Sequence, residues 1–125
     1  MGLFDGLMGN AQEVDPAQAQ KELAPILADD ERIEKAYKVL RDAFVFTNKR
    51  LILIDKQGLT GRKTEYRSIP YRSITQFSVE TAGFFDADAE LKIWVSGQAE
   101  PITKEFKGST NMHALQKTLA TYVAK

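Results

Sequence analysis

AFVFTNKRLILIDKQGLTGRKTEYRSIP, residues 43–70, decides the fold. Three strand-like runs stand in it, Ala43–Thr47, Leu51–Asp55 and Thr64–Pro70, separated by short polar punctuation. Asn48-Lys49 suits a tight hairpin turn, and Gln57-Gly58 with Thr60-Gly61 supplies positions that tolerate positive φ. Neighbouring runs joined so briefly must lie antiparallel.

The same pattern extends in both directions. Upstream, Ile33, Tyr37 and Val39 share one face of a run Arg32–Leu40 under two-residue alternation. Downstream lie Ile74–Glu80, Glu90–Val95 and Ile102–Phe106, with reversals at Ala82-Gly83 and Ser96-Gly97. That makes seven strands.

The period changes at both ends of the chain. DPAQAQKELAPIL opens with an Asp15 N-cap and proline at the first helical position, which predicts a helix over 16–27 with Pro25 near its last turn. The acidic cluster Asp29-Asp30-Glu31 then separates helix from strands. At the other end Met112, Leu115, Leu119, Tyr122 and Val123 form one stripe, with Gln116, Lys117 and Lys125 off it. Ser109, Thr110 or Asn111 can cap that helix. Its apolar stripe needs a surface, and the mouth or face of a curled sheet offers one.

The expected fold is therefore mainly β with helices. A seven-stranded, bent antiparallel sheet or partly open barrel is closed by a C-terminal amphipathic helix. Residues 1–29 form an N-terminal helical appendage and residues 30–125 the domain proper. No internal repeat is visible.

Composition narrows the function. A chain of 125 residues with 43% hydrophobic, 27% charged and 10% aromatic residues is one ordinary globular domain. Cysteine is absent, which excludes disulfides, thiolate nucleophiles, zinc–thiolate sites and iron–sulfur clusters. His113 is the single histidine, so multi-histidine metal sites are excluded too, and any Ser-His-Asp triad would depend on it. Lys and Arg balance Asp and Glu at 17 each, which argues against dedicated nucleic-acid binding. The charge is nevertheless segregated: residues 1–42 carry a net −4, residues 43–73 a net +5 and residues 74–125 a net −1. Basic and acidic patches on one molecule suit an anionic ligand or the complementary faces of neighbouring copies.

The N-terminus MGLFDGLMGNAQEV lacks a basic leader and a continuous apolar segment, and the longest apolar run in the chain, Leu51-Ile52-Leu53-Ile54, is far too short to cross a bilayer. A cytoplasmic location is expected. Leu3, Phe4, Leu7 and Met8 stand at helical spacing, suited to packing on the domain, on a sister subunit or, less well, on a membrane surface.

Few motifs carry chemistry. The glycines at 58 and 61 lack the spacing of a phosphate-binding loop and no helix follows them, so a hairpin loop fits better. Asp86, Asp88 and Glu90 have the alternate spacing of calcium ligands but not the remaining pattern of an EF-hand, and a solvated turn is the simpler account. Asp29-Asp30 look like surface carboxylates, and His113 like a structural residue in the first turn of the last helix. No catalytic, metal or cofactor site is assigned. The basic group Lys49, Arg50, Arg62, Lys63, Arg67 and Arg72, interleaved with Tyr66 and Tyr71, is the candidate for contact with an anion or partner. Strand alternation sends about half of such side chains elsewhere. Trp94 points opposite to the Leu91/Ile93/Val95 face, so its strand is covered on both sides or meets a partner.

The run FVFTNKRLILIDKQGLTGRKTEYRSIPYRSITQFSVETAG, followed by FDADAELKIWVSG, resembles the bacterial pleckstrin-homology (PH) domain family over about residues 30–124. TNKRLILIDKQG together with IPYRSI carries the resemblance. It implies a PH-like barrel of seven strands closed by a C-terminal helix. It also implies closed cyclic rings, expected to be pentameric, in which strands of adjacent protomers meet and make a hydrophilic surface for a partner protein. The chain stops just after the closing helix, without the helical hairpin that enlarges some members, so a smaller ring is expected. Eukaryotic PH domains read phosphoinositides with basic residues around the first hairpin loop. Here that connection, Leu40-Arg41-Asp42-Ala43, is short and sets one Arg beside an Asp, so phosphoinositide recognition is not carried over.

The expected function is a non-enzymatic, ring-forming scaffold for protein–protein interaction, with Phe4, Leu7 and Trp94 as candidate interface residues. The alternative is peripheral binding of anionic lipid or another anion through region 49–72. The partners expected are further copies of the chain and an unidentified protein; nucleic acid is not among them, and no cofactor is.

Overall fold

The structure, a computed structural model, describes residues 12–39, 42–57, 63–81, 89–106 and 112–124. The elements in chain order are β1 (Gln12–Val14), α1 (Pro16–Leu23), a 3-10 turn (Ala24–Ile26), β2 (Ile33–Val39), β3 (Asp42–Thr47) and β4 (Arg50–Gln57). There follow β5 (Lys63–Pro70), a second 3-10 turn (Tyr71–Ser73), β6 (Ile74–Thr81), β7 (Ala89–Val95), β8 (Ile102–Phe106) and α2 (Met112–Val123). The seven expected strands are present as β2 to β8, and the closing helix is in place.

Two antiparallel sheets result. The first runs β1-β2-β3-β4-β5 and the second β6-β7-β8, and they are not joined into a closed barrel. Asn48-Lys49 makes the two-residue turn between β3 and β4. Gly97, at φ 85°, takes the left-handed conformation in the β7–β8 turn, where a side chain would be strained.

The main core lies between the inner faces of the sheets. Tyr37, Phe44, Phe46, Leu51 and Leu53 meet Leu91, Ile93 and Phe106, and Leu115 and Leu119 of α2 close one end. The Phe106 ring stands edge-on to Tyr37 and to Phe44, each at 5.9 Å. Tyr122 of α2 stacks on Tyr71 at 4.8 Å, pinning the helix to the second 3-10 turn.

A second core lies on the outer face of the first sheet. Ala36, Ala43, Val45, Ile52 and Ile54 are buried there beneath Ala19 and Leu23 of α1. The small side chains of Ala19, Ala36 and Ala43 let the helix approach closely. Burial on both faces explains the unbroken run Leu51-Ile52-Leu53-Ile54, since a strand covered on two sides has no polar positions.

The N-terminal region differs from expectation in two respects. Residues 12–14 are a strand, β1, which extends the first sheet through Gln12↔Lys38 and Val14↔Ala36. The helix after it is capped as expected by the Asp15 carboxylate, which accepts from the Ala17 N–H at 3.1 Å, but it stops at Leu23. Pro25 has no N–H to continue the α-helical pattern, and the chain tightens into the 3-10 turn. No helix among the described residues is long and apolar enough to cross a membrane.

Candidate binding groove and sheet edges

The region after α1 is held by one buried ion pair. Glu31 is 2% exposed, whereas its neighbours Asp29 and Asp30 lie on the surface, so the acidic cluster read from sequence divides. The Glu31 carboxylate accepts from Arg50 Nε at 2.8 Å, from the Thr47 hydroxyl at 2.6 Å and from the Ala28 N–H at 3.0 Å. Burial alone would raise the Glu31 carboxyl, but the hydrogen bonds from Arg50, Thr47 and Ala28 and the Arg50 charge outweigh it and bring it down to about 2. Arg50 also donates to the Ser68 hydroxyl at 2.6 Å and to the Ile26 carbonyl at 2.7 Å. One guanidinium thus ties the 3-10 turn and the ends of β4 and β5 together.

A groove of about 520 Å³ lies over this brace. Pro25, Ile26, Leu27 and Pro70 give it apolar walls, and Lys49, Arg50 and Arg72 give it charge. Lys49 forms an exposed pair with Asp30 at 3.1 Å. Arg72 is exposed, with no carboxylate in ion-pair range among the described residues.

The six basic candidates are therefore not one site. Lys49, Arg50 and Arg72 converge on the groove, although Arg50 is committed to Glu31. Lys63 lies at the opposite end of β5, about 23 Å from Pro70 at roughly 3.3 Å per residue. Arg67 lies half-buried on the face of β5 that carries Ile69, opposite Leu53. Arg62, like Phe4 and Leu7, lies outside the described residues. Sequence reasoning missed Glu31, Ile26 and Pro70. The one local sign was the pair of prolines that frames the turn and ends β5.

Trp94 stands where alternation placed it, half-exposed on the outer face of the second sheet opposite buried Leu91 and Ile93. Among the described residues no element covers that face. Glu80, Glu90 and Glu105 form a row across its three strands, relieved among the described residues only by a pair between Glu90 and Lys92 at 3.7 Å. At the edges, among the described residues, β5 bonds only to β4 and β6 only to β7.

His113 is exposed in the first turn of α2. Among the described residues no three His, Asp or Glu side chains group to hold a metal ion.

The model of the family described as Bacterial PH domain matches residues 2–123. The chain belongs to that family. This bacterial PH domain is 57% identical over 121 residues to the uncharacterized protein YjqA of Bacillus subtilis (strain 168), covering 96% of this chain and 97% of that protein. It is 32% identical over 103 residues to the uncharacterized protein YozO of the same organism, covering 82% and 88%. Among solved structures, a DUF1696 family protein with a pleckstrin-homology domain from Shewanella loihica pv-4 superposes with a TM-score of 0.84 at 57% identity, over 93% of this chain and 99% of that one. A pleckstrin homology domain from Shewanella amazonensis SB2B gives 0.78 at 58% identity, over 89% and 100%. The PH-like fold with its C-terminal helix is thus that of its relatives.

Proposed function

We propose that this bacterial PH domain is a non-catalytic scaffold that assembles with copies of itself into a closed ring, a pentamer, and offers the resulting surface to a partner protein. The observation that carries this is the outer face of the second sheet, which no element covers among the described residues. α1 covers the outer face of the first sheet, whereas among the described residues the outer face of the second presents Trp94 beside β6, an eight-residue strand paired on one side only. Long free edges are templates for strand pairing, and large aromatic residues concentrate at contacts. The row Glu80, Glu90 and Glu105 sets like charges directly opposite one another, a cost that a basic patch on a neighbouring copy would relieve. Acidic and basic patches at separate places on one chain suit a heterologous contact, which closes into a ring when the rotation per copy divides a full turn. Phe4 and Leu7 are the candidates for the opposing apolar patch.

Trp94 is the sole tryptophan, so its fluorescence reports this face alone. Acrylamide quenching is expected to fall as the full chain is concentrated through its assembly range, and Trp94→Arg is expected to hold the chain at lower mass. Unchanged quenching alongside a rising mass would remove Trp94 from the contact. A chain that stays monomeric throughout would remove the ring.

A second function, binding of anionic lipid or another anion through residues 49–72, draws support from Lys49 and Arg72 at one groove. Salt-sensitive co-sedimentation with phosphatidylserine vesicles is its test.

A further inference from the structure

We infer that the groove between the Ala24–Ile26 turn and the adjoining ends of β4 and β5 receives a short acidic segment of a partner protein, one that sets an apolar side chain beside a carboxylate. This rests on the protein-binding part of the function proposed above and not on the ring.

The chemistry of the groove selects that occupant. Its volume, about 520 Å³, falls within the range of ligand-binding clefts. Ile26 is 38% exposed, one of two large hydrophobic side chains so exposed among the described residues, and Pro25 and Pro70 flank it in the lining. These groups line an open groove, on which an apolar side chain can lie. The charge at its rim is cationic. Both Glu31 oxygens are taken up by Arg50, Thr47 and Ala28, so this carboxylate does not oppose an incoming anion. Arg72 is exposed for a bidentate pair with a carboxylate, and among the described residues the ion-pair partner of Lys49 is the solvent-exposed Asp30, a contact that is readily exchanged. Ser68 accepts from Arg50 at 2.6 Å, which leaves its own O–H to donate into the groove.

The surroundings favour an extended peptide over a small anion. Ser68 and Pro70 belong to β5, whose second edge carries no strand among the described residues. A peptide seated in the groove can continue along that edge, pairing backbone to backbone, as in recognition by strand addition. Tyr66, the other exposed large hydrophobic at 51%, shares a face with Ser68 two residues away and gives the peptide a second apolar contact. The Arg50 brace fixes the groove before anything binds, so little ordering is needed on association.

The test is fluorescence anisotropy with the full chain and three labelled peptides: alternating leucine and glutamate, alternating leucine and lysine, and alternating serine and glutamate. The leucine–glutamate peptide is expected to bind with an affinity that falls as salt is added, and at least tenfold more tightly than either of the others. Arg72→Glu and Ile26→Ser, both at exposed positions, are expected to weaken it at least tenfold without changing the far-ultraviolet spectrum. Equal binding by the variants, or binding of phosphatidylserine vesicles without binding of the peptide, would overturn the inference. Molar mass measured on the same samples separates the two proposals. Assembly without peptide binding defeats the groove alone, and peptide binding by a monomer defeats the ring alone.

Discussion

Replacing Glu31 by Gln tests whether the ion pair beneath the groove holds the fold. The substitution keeps the shape of the side chain and one acceptor oxygen but removes the counter-charge of Arg50, whose side chain is 25% exposed. In the folded chain the Glu31 carboxyl lies at about 2, against an ordinary 4.5. At roughly 1.4 kcal/mol per pH unit that depression corresponds to about 3 kcal/mol of stabilisation of the charged form. Breaking a buried pair from one side costs a similar amount, about 3–5 kcal/mol. For a domain of this size we expect the melting midpoint to fall by about 10 °C, read by circular dichroism with both chains at one concentration so that assembly does not enter the comparison. The pH dependence has a fixed sign. A carboxyl depressed in the folded state stabilises fully above the unfolded value near 4.5 and loses that contribution as pH falls through about 2. The gap between wild type and Glu31→Gln should therefore be widest near neutrality and close across that window. A loss below about 1 kcal/mol at neutral pH, or a gap that does not narrow in acid, would mean that the pair contributes no more than an exposed one.

Other substitutions probe the core and the junction between the sheets. Among the described residues the buried Tyr37 hydroxyl has no hydrogen-bond partner, and burial, then the nearby Glu13 charge, pushes it up to about 12. Tyr37→Phe removes an unsatisfied group and is expected to leave stability unchanged or raise it by about 1 kcal/mol in urea melts, whereas a loss above about 1 kcal/mol would mean the hydroxyl has a partner. Asp42 bridges to Lys104 of the second sheet at 2.9 Å, but burial and the adjacent Asp55 raise its carboxyl above the usual range. Asp55→Asn should stabilise the chain as pH rises through the Asp42 titration and have no benefit in acid, and a benefit independent of pH would contradict that assignment. Leu115→Ala, at the closed end of the core, is expected to cost about 2–5 kcal/mol, and a cost under 1 kcal/mol would mean that α2 does not seal it.

Two-residue alternation, short unbroken apolar runs in β3 and β4, and turn chemistry located β2 to β8 within a residue or two. β1 has three residues, Gln12-Glu13-Val14, too few to show any period, and it is a strand by virtue of its register against β2. The orientation of Trp94 followed from parity alone. The groove did not follow, because it depends on where the chain goes after α1. Glu31 is indistinguishable in sequence from Asp29 and Asp30, and it is buried only because the β3–β4 turn brings Thr47 and Arg50 to it. The basic residues clustered along the chain part in space for the opposite reason, since β5 carries Lys63 to one end and the turn after Pro70 carries Arg72 to the other.

Self-assembly is decided by the molar mass of the full chain in native mass spectrometry. A pentameric ring appears as a species at about five times 14.0 kDa. A single species at 14.0 kDa at every concentration would contradict it.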